Sequence, residues 1–131
     1  MNILLDTHIL IWSVVNPYKL GGVTQALLED DATDVWLSPI SLWECLILSE
    51  KGRVTLKPSP TAWVRRLLKS SIFHEAPLNH EVAIQSRTIE LFHEDPADRF
   101  LCATASVFDL TLLTSDTRIL AGRGYSVIAN E

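Results

Sequence analysis

The sequence lacks the features of a membrane or secreted protein. No uncharged apolar run approaches the ~20 residues that a membrane-spanning helix needs. The N-terminus has neither a basic segment nor a small-residue cleavage site, so no signal peptide is expected. The only two cysteines, Cys45 and Cys102, lie in apolar surroundings that favour reduced core thiols over a bridge. These features predict a cytoplasmic protein without a membrane segment.

Basic residues are also scarce. The 131 residues include 11 Lys and Arg against 16 Asp and Glu, which gives a net charge of −5. An acidic chain is not typical of a protein that holds nucleic acid through charge alone. The basic residues are nevertheless uneven, and one stretch contains Lys51, Arg53, Lys57, Arg65, Arg66 and Lys69. A nucleic-acid substrate therefore requires metal ions that offset the carboxylates near the chemistry.

Short apolar runs alternate with helical patterns along the chain. The length suits one packed domain and is too short for two, so residues 1–131 are predicted to form a single domain. Strands are predicted at 3–5, 35–37, 72–73, 111–113 and 125–128, with a further short extended piece at 54–56. Helices are predicted at 8–15, 24–30, 40–50, 61–70, 81–92 and 97–108. This alternation predicts a three-layer α/β/α domain around a mainly parallel sheet of four to five strands.

Two of these helices carry more detailed predictions. Thr24 is expected to be the N-cap of the helix at 24–30. The helix at 61–70 is amphipathic, with Trp63, Leu67 and Leu68 predicted to face the core.

Four acidic residues occupy positions where a solvated carboxylate is unusual. Asp6 and Asp116 each follow an apolar strand, and ligands of open α/β sheets bind beyond the carboxyl ends of the strands. Glu44 lies within an apolar helix, and Asp98 opens another. Burying such carboxylates unpaired is costly, and few cations lie close in sequence. Their convergence would imply a hard divalent cation with oxygen ligands.

Each position also has a purely structural explanation. Asp6 would serve equally as the N-cap of the helix that begins near His8, and Glu44 would reach solvent from its helix edge. Asp98 would interact with the helix dipole while paired with an arginine, and Asp116 would form a turn. Four such positions within one small α/β domain favour the metal site.

Four segments resemble those of a known family. They are LLDTH at Leu4–His8, SPISLWE at Ser38–Glu44, DPADRFLCATA at Asp95–Ala105 and LLTSD at Leu112–Asp116. In order and spacing the chain resembles a PIN domain and, more narrowly, the VapC-type toxins of type II toxin–antitoxin pairs. The resemblance implies a Mg²⁺- or Mn²⁺-dependent endoribonuclease. It also implies that Asp6, Glu44, Asp98 and Asp116 hold the metal, without choosing between one and two ions.

The same resemblance implies two protein partners. Members of this group commonly form homodimers. They are normally inhibited by a VapB-type antitoxin whose C-terminal segment lies across the active site.

Neighbouring residues invite smaller predictions. Asp95 is expected to cap its helix before Pro96, with a metal contact through water as the alternative. Arg99 is expected to pair with a site carboxylate, with a contact to substrate phosphate as the alternative. Thr7 and Ser115 adjoin the acidic residues, where a hydrogen bond to a ligand and a backbone cap are both open.

The basic stretch offers candidates for contact with an RNA backbone. They are Lys51, Arg53, Arg65 and Arg66, and a solvated helix face is the alternative. The four histidines show no metal-ligand spacing, and His93 is expected at a loop or surface position. Most of the tryptophans, Trp12, Trp36, Trp43 and Trp63, are expected in the core or an interface.

Other functions fit the sequence less well. A phosphatase of the haloacid-dehalogenase type needs a second Asp two residues after the first, where this chain has His8. A phosphoreceiver domain needs an acidic pair in its first loop and a lysine after the last catalytic strand, and the sequence has neither. The alternative to the enzyme is a non-catalytic RNA- or protein-binding PIN-like module with a structural ion.

Overall fold

The computed structural model describes residues 1–70 and 72–131. Its strands are β1 (Asn2–Leu5), β2 (Asp34–Leu37), β3 (Phe73–Glu75), β4 (Thr111–Thr114) and β5 (Ser126–Ala129). They form one sheet in the order β3-β2-β1-β4-β5, and every pairing is parallel. The predicted α/β fold class is therefore confirmed, with β1 at the centre of the sheet.

Helices connect successive strands. They are α1 (Thr7–Val15), α2 (Gly22–Glu29), α3 (Pro39–Glu50), α4 (Pro60–Lys69), α5 (His80–Gln85), α6 (Pro96–Val107) and α7 (Thr117–Leu120), with a short 3₁₀ helix at Pro17–Lys19. None of the helices in the described residues is long and apolar enough to cross a bilayer.

The alternation of side chains along the strands creates two cores. Ile3 and Leu5 pack in one cluster with side chains of α1, α3 and α4, whereas Leu4 packs in the other with side chains of α6 and α7. Successive residues of a strand point to opposite faces, so both faces of β1 are covered. The result is the predicted three-layer arrangement, in which both cysteines are buried free thiols.

Capping residues fix where helices begin, and α1, α3 and α7 begin directly after the ends of strands β1, β2 and β4. Asp6, Asp95 and Asp116 are the N-caps of α1, α6 and α7, and each side chain accepts a hydrogen bond from a backbone N–H of the first turn. Ser38 caps α3 in the same way. Three acidic side chains are thereby fixed at helix N-termini.

Several predicted boundaries are wrong. Helix α2 begins at Gly22 with Gly21 as its N-cap, so Thr24 is a buried residue within the helix. Helix α5 ends at Gln85 rather than Phe92, whose side chain is 74% exposed. Leu68 is 52% exposed and does not face the core, unlike its buried neighbour Leu67.

Three smaller differences concern short segments. Residues 54–56, predicted as a short extended piece, form no strand in the structure. Strand β3 begins at Phe73, one residue later than expected. Helix α7, four residues long, was not anticipated by the pattern of apolar residues.

Candidate metal centre

A cleft of about 460 Å³ opens at the carboxyl edge of the sheet, beyond the ends of β1 and β4. All four predicted carboxylates line it, together with Asp95 and the exposed cation Arg118. Asp6 and Asp116 reach it from strand ends, whereas α3 and α6 deliver Glu44 and Asp98. The order of the parallel strands thus brings together residues that are far apart in the chain.

Asp6 is a helix cap and a cleft residue at the same time. One carboxylate oxygen accepts a hydrogen bond from the Thr7 backbone N–H at 2.7 Å, and the other accepts one from the Thr114 hydroxyl at 2.5 Å. The Thr114 hydroxyl oxygen in turn accepts from the backbone N–H of Asp116. Burial raises the pKa of Asp6, and these hydrogen bonds oppose that effect.

Glu44 is held by Thr7. The Thr7 hydroxyl donates a hydrogen bond to Oε1 of Glu44 at 2.5 Å, so Thr7 contacts a site carboxylate as well as adjoining Asp6. Burial raises the pKa of Glu44 to about 7, and the charges of Asp98 and Asp6 add to the increase. Without a cation, Glu44 therefore retains a proton up to near-neutral pH.

Asp98 is held by a histidine. Nε2 of His93 lies 2.6 Å from Oδ2 of Asp98, and each side chain is only 12% exposed. Burial raises the pKa of Asp98 to about 6 despite this contact, while Asp95 and Asp6 add to the increase through their charges.

Asp116 has a more open environment than the other three acidic residues. Arg118 donates to both of its carboxylate oxygens, from Nη2 at 3.0 Å and from Nε at 3.3 Å. These contacts lower the pKa of Asp116. Asp116 is therefore paired with an arginine in the absence of metal.

The ligand atoms are close enough to share a metal ion. Among the described residues, His93, Asp98 and Asp116 each offer one atom within 4.8 Å of the others, and so do Glu44, Asp95 and Asp98. Asp98 belongs to both groups. Asp6 lies outside them but lines the same cleft.

The donor set fits a hard divalent cation. Half-buried Glu44 and buried Asp98 both have pKa values raised by burial and by neighbouring carboxylates, and an added cation would relieve both effects. Ligands dominated by carboxylate oxygens favour Mg²⁺ or Mn²⁺ over softer ions.

Arg99 has a different role from the predicted one. Its buried guanidinium donates to the backbone oxygens of Ser86 at 2.9 Å and Ile89 at 3.2 Å. Its ion-pair partner among the described residues is Glu94, at 3.8 Å, which does not line the cleft. The predicted pairing with a site carboxylate is therefore wrong, and Arg99 instead anchors the segment that follows α5.

The other neighbouring residues lie as their positions suggested. Asp95 caps α6 by accepting from the backbone N–H groups of Ala97 and Asp98, and it also lines the cleft. Ser115 lines the cleft beside Asp116.

The four basic candidates, Lys51, Arg53, Arg65 and Arg66, are all exposed. We call the cleft lined by the acidic residues the metal cleft, after the ion that it is proposed to hold. Arg53 lines a second cleft that shares His8 and Trp12 with the metal cleft. Arg66 lines a separate groove beside Trp63.

Two residues of the site, His93 and Thr114, were not predicted from the sequence. His93 was expected at a loop or surface position, and its only signal was a distance of five residues from Asp98. Thr114 ends β4, and its hydroxyl reaches Asp6 only because β4 pairs with β1.

Comparisons with known proteins agree with this architecture. A family model described as PIN domain matches residues 3–123. Ribonuclease VapC22 from Mycobacterium tuberculosis is 27% identical over 124 residues, which cover 92% of both chains.

Solved structures show the same fold at lower identity. One match is a chain from the crystal structure of VapBC2 from Rickettsia felis bound to a DNA fragment from its promoter. The TM-score is 0.76, with 14% identity over 100% of both chains. A toxin–antitoxin complex from Klebsiella pneumoniae matches with a TM-score of 0.65 and 23% identity over 98% of both chains.

Proposed function

We propose that this chain, which belongs to the PIN-domain family, is the endoribonuclease toxin of a toxin–antitoxin pair and depends on Mg²⁺ or Mn²⁺. The observation that carries the proposal is the convergence of four carboxylates in one cleft at the carboxyl edge of the sheet. The likeness to a ribonuclease and to toxin–antitoxin complexes supports the choice of substrate and biological role.

In this proposal Asp6, Glu44, Asp98 and Asp116 would hold the metal. When bound, a divalent ion supplies stabilisation of the charge on the phosphate and leaving oxygen, and it activates the attacking water. Glu44 and Asp98 give up their protons when they become ligands, since metal ligands must be deprotonated.

Other residues of the chain position these ligands. Thr7 orients Glu44, Thr114 orients Asp6, and His93 orients Asp98, each through one hydrogen bond to a carboxylate oxygen. Such outer contacts fix the direction of a ligand before the metal arrives. Arg118, at the mouth of the cleft, adds a positive charge close to the position of the substrate phosphate.

The decisive experiment is cleavage of a mixed cellular RNA pool by the purified chain, free of any antitoxin. Reactions contain Mg²⁺, Mn²⁺ or a chelator, and Asp6→Asn is compared with Asp31→Asn, a matched change at an exposed residue away from the cleft. We expect discrete cuts that require metal, persist in Asp31→Asn and fall more than about a hundredfold in Asp6→Asn.

Two results would contradict the proposal. Equal cleavage by wild type and Asp6→Asn would point to a contaminating nuclease. RNA binding without cleavage in either metal would favour the non-catalytic module.

We also propose the partners and location that go with this role, namely a VapB-type antitoxin, a homodimer and the cytoplasm. An antitoxin segment lying across the acidic cleft would block it, and a basic side chain there would complement its charge. Exposed apolar side chains such as Trp43 offer contact area for a second copy. Light scattering of the purified chain should give a molar mass near twice 14.7 kDa, and a value of one chain would contradict the dimer.

A further inference from the structure

A second cleft adjoins the metal cleft. Its volume is about 310 Å³, and His8 and Trp12 line both clefts, so these two side chains lie between them. We call it the cationic cleft, because Lys19 and Arg53 line it and none of its eight described lining residues is acidic.

The two clefts have opposite charge. Five carboxylates line the metal cleft, where an RNA backbone is repelled wherever metal does not offset them. Lys19 and Arg53 are exposed, and within the described parts of the chain neither forms an ion pair with an acidic side chain. Their charges are therefore available to phosphate groups that lie beside the metal cleft.

An aromatic surface lies between the two sources of charge. The Trp12 indole is partly exposed, with its ring centroid 5.9 Å from that of His8. The Lys19 ammonium lies 5.6 Å from the Trp12 ring centroid. A partly exposed ring with a cation over one face is a pairing that suits single-stranded nucleic acid, because its bases stack and its phosphates contact positive charge.

We propose that the cationic cleft binds an unpaired segment of the RNA substrate next to the bond that is cut. Trp12 stacks on a base, while Lys19 and Arg53 contact the backbone phosphates on the same side. Stacking requires a base that is free of its partner, so the segment that lies in the cationic cleft is unpaired. Recognition through stacking and backbone charge tolerates many sequences at this position. This inference rests on the proposed ribonuclease function and names the residues that contact the RNA beside the cut bond.

The test is steady-state cleavage of a labelled single-stranded oligoribonucleotide in Mn²⁺, alongside the same sequence in a duplex. We expect Lys19→Gln and Arg53→Gln each to raise KM severalfold and to reduce the salt dependence of log KM by about 0.7, with kcat unchanged. Trp12→Leu, which keeps apolar bulk, should raise KM about tenfold, and Trp12→Phe should restore most of the loss. Arg123 is exposed and lines neither cleft, so Arg123→Gln is the control for the loss of one positive charge.

Three results would overturn the inference while leaving the ribonuclease intact. The first is a KM for Lys19→Gln and Arg53→Gln equal to that of Arg123→Gln. The second is cleavage of the duplex as fast as cleavage of the single strand. The third is a rise in KM confined to Arg65→Gln and Arg66→Gln on α4. Lys19 and Arg53 are exposed, so their variants test the cleft even where Trp12→Leu is unstable.

A wild-type chain that cuts no RNA would contradict the proposed function instead. Fluorescence anisotropy with the same oligonucleotide then tests the cleft separately. Weaker RNA binding by Lys19→Gln and Arg53→Gln would support the proposed role of the cationic cleft, and unchanged binding would overturn that role.

Discussion

At the scale of single residues, Glu44 shows how the site is arranged for a cation. Its side chain is half-buried on α3, and burial and neighbouring carboxylates raise its pKa from 4.5 to about 7. The folded chain therefore binds a proton that the unfolded chain releases between about pH 4.5 and 7. Since the folded state binds more protons in this window, metal-free stability falls as pH rises through it.

The first prediction follows from this fall in stability with rising pH. In chelator, Glu44→Gln should be more stable than wild type at pH 8, because no charge is buried, and similar to it at pH 4.5. We expect a gain of about 1 kcal/mol at pH 8, or roughly 3–6 °C in Tm, after discounting for partial exposure. Thermal denaturation across pH 4.5–8 measures it, with exposed Glu50→Gln on the same helix as the control. An equal gain in stability at both pH values would contradict the raised pKa of Glu44.

The second prediction concerns His93, which contacts Asp98 but was missed in the sequence. His93→Gln should weaken Mn²⁺ binding and cleavage about 10- to 100-fold, the usual cost of losing a group that orients a ligand. Calorimetric titration with Mn²⁺ measures the affinity, and His80→Gln at the exposed start of α5 is the matched control. Equal affinities in the two variants would show that His93 does not act through Asp98.

At the scale of elements, Arg99 couples α6 to the segment that carries His93. Its guanidinium donates hydrogen bonds to the backbone oxygens of Ser86 and Ile89. Both carbonyl groups lie beyond Gln85, the last residue of α5. The segment is held further by the backbone bridge between Glu90 and Arg123. The placement of His93 therefore depends on contacts made by α6.

The third prediction tests that dependence. Arg99→Met keeps an unbranched apolar stem but leaves two carbonyl groups without a donor, so the free energy of unfolding should fall by about 2–3 kcal/mol. Arg99→Lys should fall between Arg99→Met and wild type, since it keeps the charge but not the forked geometry. Urea denaturation measures both changes. An Arg99→Met variant as stable as wild type would contradict the anchoring role.

The elements that the sequence predicted well are those with local causes. Strand β1 is a short apolar run, and α3 and α6 each begin with a cap and a proline, so neighbouring residues alone specify them. The apolar spacing at 82–92 suggested one long helix. In the folded chain Ile89 is instead buried against the α6 side of the sheet, and Glu90 pairs with a distant residue.

Thr24 illustrates the same limit at a helix start. Its backbone N–H and hydroxyl both contact the main chain of Glu131, so the side chain is not available as a cap. Gly21 takes that place where the main chain of Glu131 comes so close that a Cβ atom would clash with it. Contacts between residues so far apart in sequence leave no local pattern.

At the scale of the whole molecule, the sheet assembles the site. Asp6, Glu44, Asp98 and Asp116 could be proposed together because strand ends and buried helices are visible in the sequence. Their convergence follows from the parallel order of the strands and from the packing of α3 and α6 against the sheet. The contacts of Thr114 and His93 required the actual register and packing, which the sequence did not specify.

The fourth prediction treats metal and fold as linked. At pH 8, Mn²⁺ at a hundred times its Kd should stabilise the folded chain by about 2.7 kcal/mol, because the unfolded chain has no assembled site. Asp98→Asn should lose most of this increase, whereas exposed Asp31→Asn should keep it. Differential scanning calorimetry with and without chelator measures the shift. An equal shift in all three proteins would place the binding ion elsewhere.

The central position of β1 has a consequence for the timing of biosynthesis. β1 is made first, yet one of its two neighbours is β4, and Ile3 pairs with Thr111. A chain emerging from the ribosome therefore carries Asp6 and Glu44 long before it contains β4, the strand that precedes Asp116. Thr114 and Asp116 complete the arrangement only after β4 has been made. A prematurely terminated chain that stops before β4 thus lacks Asp116 and carries no assembled site.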